Sequence, residues 1–170
     1  MIFRLNDQVI DLNKLKYEYS LSDEMILNLE LLDSKFNKVI TIENLTSFYE
    51  YKDDDALIIY LAGFHNHTKR MLLKKIYSKY PNVKYYHFGD IDIGGLRIFN
   101  HLVESTGIPF IPLKMSVKEL KDESNNLKEL TLNDKKSLDL MLTDNRYIMF
   151  IDVMKYMKEH NVKLEQENLD

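Results

Sequence analysis

The sequence predicts an α/β fold: a parallel sheet of about four strands flanked by helices, followed by a helical C-terminal extension. Two observations predict it. Short β-branched or continuously apolar runs recur at VITIEN (39–44), LIIYLAGF (57–64), VKYYHF (83–88) and IPFIPL (108–113). Apolar residues at helical spacing fill the gap between the second and third runs and again between the third and fourth. Strands that alternate with helices favour parallel pairing through right-handed crossovers. The carboxyl ends of such strands share one edge, where an open α/β sheet places its chemistry.

The elements follow in order. Residues 1–20 read as an extended lead-in. Ser22 ahead of Asp23 and Glu24 is a helix start, with a polar cap and acids in the first turn. Met25, Ile26, Leu29 and Leu32 then form one apolar stripe. VITIEN is the first core strand and ends on an acid and an amide. Leu45 to Tyr51 reads as a short helix, and KDDD at 52–55 as a solvated loop. LIIYLAGF is apolar throughout, as expected of a central strand covered on both faces. A helix from Thr68 to Tyr80 carries Leu73, Ile76, Tyr77 and Tyr80 on one face, and Pro81-Asn82 stops it. VKYYHF is the third strand. Leu96, Phe99, Leu102 and Val103 mark the next helix, ending near Gly107. IPFIPL is the fourth strand, and its prolines favour an edge or terminal position. Beyond Ser116 a charged helical segment (117–123) and helices near 132–142 and 146–160 follow. The division is an N-terminal lead-in and helix (1–35), a core (36–115) and a helical extension packing on it (116–170).

Composition bounds the function. With 170 residues, 45% hydrophobic and 29% charged, the chain can build a core of its own. There is no cysteine, which excludes disulfides and thiolate metal sites. No apolar run approaches the roughly eighteen residues of a membrane span, and the start lacks the regions of a signal peptide. A cytoplasmic location is the default. A net charge of −4 argues mildly against a stand-alone nucleic-acid binder, though a local basic face is compatible with it.

The chemistry concentrates in YYHFGDIDIGGLRIF, residues 85–99. Asp90 and Asp92, two residues apart at a strand end, point to the same side and can share one hard cation. Gly94 and Gly95 permit a tight turn and close approach of backbone. Taken alone, this pattern reads equally as a turn in which the acids cap the helix. Glu43 closes the first strand and joins Asp90 and Asp92 on the same sheet edge. Carboxylates about 5 Å apart repel by roughly 3 kcal/mol per pair at an effective dielectric of 20. Such a site requires a bound cation or a raised pKa. Oxygen-only ligands point to Mg²⁺ or Mn²⁺ rather than Zn²⁺.

ITIEN, LIIYLAGF and HFGDIDIGGLRI together resemble a Toprim domain. This Rossmannoid fold is shared by topoisomerases, primases and several nucleases, with a Glu after the first strand and a DxD after the third. The wording HFGDID-x-GGLRI and the terminal LEQE are most similar to the JetD family, the DNA-cleaving subunits of Wadjet anti-plasmid systems, related to the topoisomerase VI A subunit. The resemblance covers residues 36–113 well and LEQE more loosely. Residues 1–35 and 116–160 match only in helical character. The resemblance implies metal-assisted cleavage of a DNA phosphodiester. In it Glu43 is a general acid/base or metal ligand, Asp90 and Asp92 hold Mg²⁺, and Asn44 orients Glu43 or a phosphate. It also implies a homodimer working beside an SMC-like ATPase complex. Relatives carry an N-terminal DNA-binding region. Here the first core strand begins about forty residues after Met1, so the expectation is a chain without that region, with DNA capture delegated elsewhere. None of the eleven tyrosines stands in the context of a topoisomerase nucleophile, which lies in a separate winged-helix domain.

Other residues carry two readings each. Glu165 and Glu167 read as a solvated end or, with the resemblance, as further acids of the metal site, Glu165 being the candidate ligand. His65-Asn66-His67 follows the second strand and reads as a surface loop or a phosphate contact. His87 reads as a satisfied, half-buried histidine. Lys69, Arg70, Lys74 and Lys75 form a basic helix face, either solvated or holding DNA phosphates, in which case affinity falls steeply with salt. Arg97 is the best-placed cation for a phosphate near Asp90 and Asp92, against a structural ion pair. Two other functions fit the bare pattern. One is a small-molecule phosphohydrolase or phosphotransferase. In haloacid-dehalogenase-type enzymes, however, the DxD closes the first strand and precedes Thr or Val, not Gly94-Gly95. The other is a non-catalytic interaction module in which the acids serve only as caps.

Overall fold

The computed structural model describes residues 1–15, 17–63 and 66–169. Strands β1 (Ile2–Leu5) and β2 (Gln8–Asp11) pair antiparallel across a two-residue turn in which Asn6 takes φ 53°. Helix α1 (Asp23–Asn28) starts where Ser22 Oγ accepts the Met25 N–H at 3.2 Å. It ends after six residues, because Glu30–Leu32 leaves as β3 and pairs antiparallel with β1. The expected stripe Met25-Ile26-Leu29-Leu32 is thus split between helix and strand: tertiary pairing overrides local helical spacing. The lead-in is a three-stranded sheet in the order β2-β1-β3.

The core follows as β4 (Lys38–Ile42), α2 (Leu45–Glu50), β5 (Ala56–Tyr60), α3 (His67–Lys79), β6 (Lys84–Phe88), α4 (Ile93–Thr106) and β7 (Ile111–Pro112). Its four strands are all parallel, in the order β5-β4-β6-β7. LIIYLAGF, expected at the centre, forms the edge strand β5; β4 and β6 are central. The residues of β5 are apolar because its faces are covered. Leu57 is buried, and Ala56, Ile58 and Ile59 pack against the core. The proline-bearing β7 is the opposite edge, as its composition implies. The alternation of β6 sends Tyr85 against Tyr77 of α3 and His87 against Phe99 of α4. Phe88 points the other way, toward Tyr51 beyond α2. Helices therefore cover both faces of the sheet.

The extension comprises α5 (Val117–Asp122), β8 (Lys128–Glu129), α6 (Leu132–Met141), a 3₁₀ turn (Asn145–Phe150), α7 (Ile151–His160) and β9 (Val162–Lys163). Helices α5 and α6 open on capping boxes, Ser116 with Glu119 and Thr131 with Asp134. Strands β8 and β9 pair antiparallel. Phe150 packs edge-on against Phe99 of α4 with ring centroids 5.0 Å apart, which seats the extension on the core. Among the described residues no helix is long and apolar enough to cross a membrane.

Candidate functional site

The register of the parallel sheet aligns its carboxyl ends. Ile42 lies opposite Tyr60 on one side and Phe88 on the other. The ladder runs one step further, with Glu43 N–H donating to Phe88 O at 3.1 Å and Leu61 N–H to Ile42 O at 2.8 Å. Glu43 and Gly89-Asp90 therefore leave neighbouring strands side by side. They border a cleft of about 390 Å³ whose lining includes Glu43, Asn44, Tyr60, Gly63, Asp90 and Glu167.

Two glycines make this geometry possible. A Cβ on Gly89 would stand 2.8 Å from Glu43 Oε2 and 2.9 Å from His87 Nε2. Only the bare backbone there lets the acid and the imidazole approach. A Cβ on Gly95 would meet the Asp90 carbonyl oxygen at 2.2 Å, so α4 can start against the β6 end only with glycine. Asp92 is the N-cap of α4, its Oδ1 accepting Gly95 N–H at 2.8 Å. The capping and site readings of DIDIGG are thus compatible, because one oxygen of Asp92 serves the helix.

Burial governs the charges. The Glu43 side chain is 12% exposed. Desolvation first, then the neighbouring Asp90 and Asp92 charges, push its pKa up to about 8, against the pull of the Asp90 backbone amide. Burial also raises Asp90, with Asp92, Glu165 and Glu167 adding to the rise. The Gln166 N–H, donating to Asp90 Oδ1 at 2.7 Å, opposes it. Glu43 Oε2 has no hydrogen-bond partner among the described residues and lies 4.0 Å from Nε2 of the fully buried His87. The other ring nitrogen, Nδ1, is 2.9 Å from Thr41 Oγ1. His87 is therefore fully buried in a central strand, not half-buried as expected.

The remaining candidates are placed as follows. Asn44 caps α2, its Oδ1 accepting Thr46 N–H at 2.7 Å and Ser47 N–H at 3.2 Å. Glu165 turns to Lys128 in an ion pair, and Glu167 rather than Glu165 lines the cleft. Arg97 is exposed one turn into α4 and, among the described residues, forms no ion pair with Asp90 or Asp92. Lys69 lies over the Tyr60 ring and donates to Leu61 O, and burial lowers its pKa. Arg70 is half-buried. Of the basic face, Lys75 donates to the carbonyls of Ile26, Leu27 and Leu29, tying α3 to the end of α1. Asn66 caps α3 and His67 is exposed; His65 lies outside the described residues. Among the described residues no three carboxylate or histidine side chains close on one point as they stand.

Gln166 was not legible as a site residue. It is 1% exposed, and its Oε1 accepts the Asn44 N–H at 2.9 Å. Nothing local in LEQE distinguishes it, since its partners lie far away in the chain. The only available signal was an uncharged amide set between two acids.

Four parallel strands flanked by helices, with acids at the ends of the two central strands, make this a Toprim-like α/β domain. The model of the family described as Wadjet protein JetD, C-terminal, matches residues 1–170. The chain belongs to that family. Wadjet protein JetD of Bacillus cereus (strain Q1) is 30% identical over 168 residues, an alignment covering 96% of this chain and 41% of that protein. The chain thus spans about two-fifths of the length of this curated relative.

Proposed function

We propose that this domain carries the cleavage centre of a Wadjet-type plasmid-defence nuclease and hydrolyses DNA phosphodiesters with Mg²⁺ or Mn²⁺. The observation that supports this is the convergence of Glu43 and Asp90 on one cleft, with the Glu43 carboxyl pushed up to about 8. The donor set fits a hard cation. It offers oxygen alone, and Glu43 Oε2 is buried without a partner among the described residues. Asp90 and Asp92 each commit Oδ1 to a backbone N–H, which leaves Oδ2 of each for a ligand. Glu43, Asp90 and Asp92 would hold the ion, with Glu167 in the same cleft.

When bound, such an ion neutralises the acids and polarises a phosphoryl oxygen. The chain's own residues supply the rest. A carboxyl with a pKa near neutrality can take a proton from an attacking water or return one to the leaving oxygen. Glu43 would have that property only with Asp90 and Asp92 holding the ion and its own carboxyl beside it, because a directly bound cation lowers the pKa of a carboxyl. Arg97, exposed one turn into α4, would meet a phosphate. Asn44, Lys69 and Arg70 flank the same edge, though the Asn44 side chain and the Lys69 ammonium already have partners in the fold. In this reading DNA is the substrate, the partners are SMC-like ATPase subunits, and the subunit works as a cytoplasmic homodimer.

The test is nicking of supercoiled plasmid by a protein joining this domain to the remaining length of its longer relatives, with Mg²⁺, Mn²⁺ or EDTA. Divalent-dependent nicking should vanish in Glu43→Ala and Asp92→Ala. Undiminished cleavage in both variants would sink the proposal.

A further inference from the structure

The segment 164–169 lies across the carboxyl edge of the parallel sheet and engages three strand ends. Leu164 and Ile91 exchange backbone hydrogen bonds of 2.9 and 3.1 Å. Gln166 N–H donates to Asp90 Oδ1 at 2.7 Å, and its side-chain oxygen accepts Asn44 N–H at 2.9 Å. Lys114, just beyond β7, donates its ammonium to Leu169 O at 2.9 Å.

Gln166 is the only residue of this strap, among the described residues, that hydrogen-bonds to both acid-bearing strand ends. A long amide buried to 1% exposure is not needed to fill space; an apolar side chain does that at lower desolvation cost. A buried amide is retained for its hydrogen bonds. The bond to Asp90 uses the main chain and any residue could make it. The bond to Asn44 requires an acceptor at the end of two methylenes. Methionine has the length without a comparable acceptor, and asparagine has the acceptor one methylene short. Glutamate supplies both. It loses no existing bond of Nε2, which has no partner among the described residues, but it adds a buried acid beside Asp90.

We propose that Gln166 is a positioning residue. It ties the residue after Glu43 to the Asp90 carboxylate and so fixes the separation of the two acids that would share a cation. This inference rests on the function proposed above. It makes the strap part of the site although Gln166 itself touches no reacting group.

The experiment uses this chain with Gln166→Met and Gln166→Glu, and reads amide hydrogen exchange by NMR together with Mn²⁺ binding by calorimetry. In Gln166→Met the Asn44 amide should exchange at least about tenfold faster. The amides of Ile40 and Ile42 inside β4 should stay as protected as in the wild type, and Mn²⁺ should bind about tenfold more weakly. In Gln166→Glu the Asn44 amide should stay protected. Unchanged Asn44 exchange in Gln166→Met overturns the inference, as does an unchanged Mn²⁺ affinity. If Gln166→Met does not fold, Gln166→Asn, neutral and one methylene too short to reach the Asn44 amide, decides, and unchanged Asn44 exchange in it overturns the inference. A wild-type chain that binds no Mn²⁺ defeats the proposed cation chemistry instead. Faster Asn44 exchange in Gln166→Met would then still support the tie, and unchanged exchange would still refute it.

Discussion

Replacing Glu43 with Gln removes one ionisable proton and keeps the shape of the side chain. It therefore isolates the free energy stored in the displaced protonation equilibrium. The side chain is 12% exposed, and its pKa rises from 4.5 to about 8 on folding. A carboxyl with a raised folded pKa binds more protons in the folded state than in the unfolded one. Its stability contribution is full below pH 4.5 and is lost as pH climbs through about 8. At about 1.36 kcal/mol per pH unit, that gap amounts to roughly 4–5 kcal/mol by pH 8. The figure is a ceiling, because local opening at the strand end would admit water before the whole domain paid it. Urea unfolding of the wild type and Glu43→Gln in EDTA at several values between pH 5 and 8 reads the difference. The variant should gain at least about 2 kcal/mol on the wild type across that range. Adding Mn²⁺ at pH 8 should restore the wild type and stabilise the variant, which keeps Asp90 and Asp92, clearly less. Parallel stability curves would refute the reasoning, since they would mean that the folded carboxyl is hydrated or already paired.

Three further outcomes follow from the same geometry. Asp92→Ala should lose about 1 kcal/mol of stability with its cap, whereas Asp92→Ser should keep the cap and most of the stability; both should abolish divalent-dependent nicking, which separates the two tasks of this residue. Gly95→Ala drives a Cβ into the Asp90 carbonyl and should cost about 3 kcal/mol or more, while Gly94→Ala, whose nearest contact is Asp92 Oδ1 at 3.1 Å, should cost clearly less in thermal unfolding. Glu165→Gln breaks only a partly exposed ion pair with Lys128 and should change stability by no more than about 0.5 kcal/mol, with nicking unchanged; a large loss of cleavage would bring Glu165 back into the site.

The core was legible because its signals are local. Val39–Ile42 and Tyr85–Phe88 announce strands, and helical periods place α3 and α4. The prolines at 109 and 112 put β7 at an edge. The carboxylates were legible because strand direction alone aligns Glu43 with Asp90. The order of strands was less so. β5 reads as central because burial of both faces makes a strand apolar whether or not its outer edge is paired. The N-terminal hairpin was missed although Asn6-Asp7 between IFRL and QVID is a two-residue turn signal. Leu32 was drawn into a helix because spacing cannot foresee that β1 would claim it. Gln166 lay beyond reach for a stronger reason. Its role exists only through Asn44 and Asp90, and no window of sequence contains all three.

That last pairing has a consequence for the order of assembly. Asn44 and Gln166 are 122 positions apart, and Asp90 and Gln166 are 76 apart. Contacts of such separation close large loops and form late. During synthesis, both acid-bearing strands leave the ribosome well before residue 166 exists. The parallel sheet can therefore be complete while its acids are still unbraced, and the brace would be the last act of folding. A refolding chain should recover its sheet before it recovers protection at Asn44.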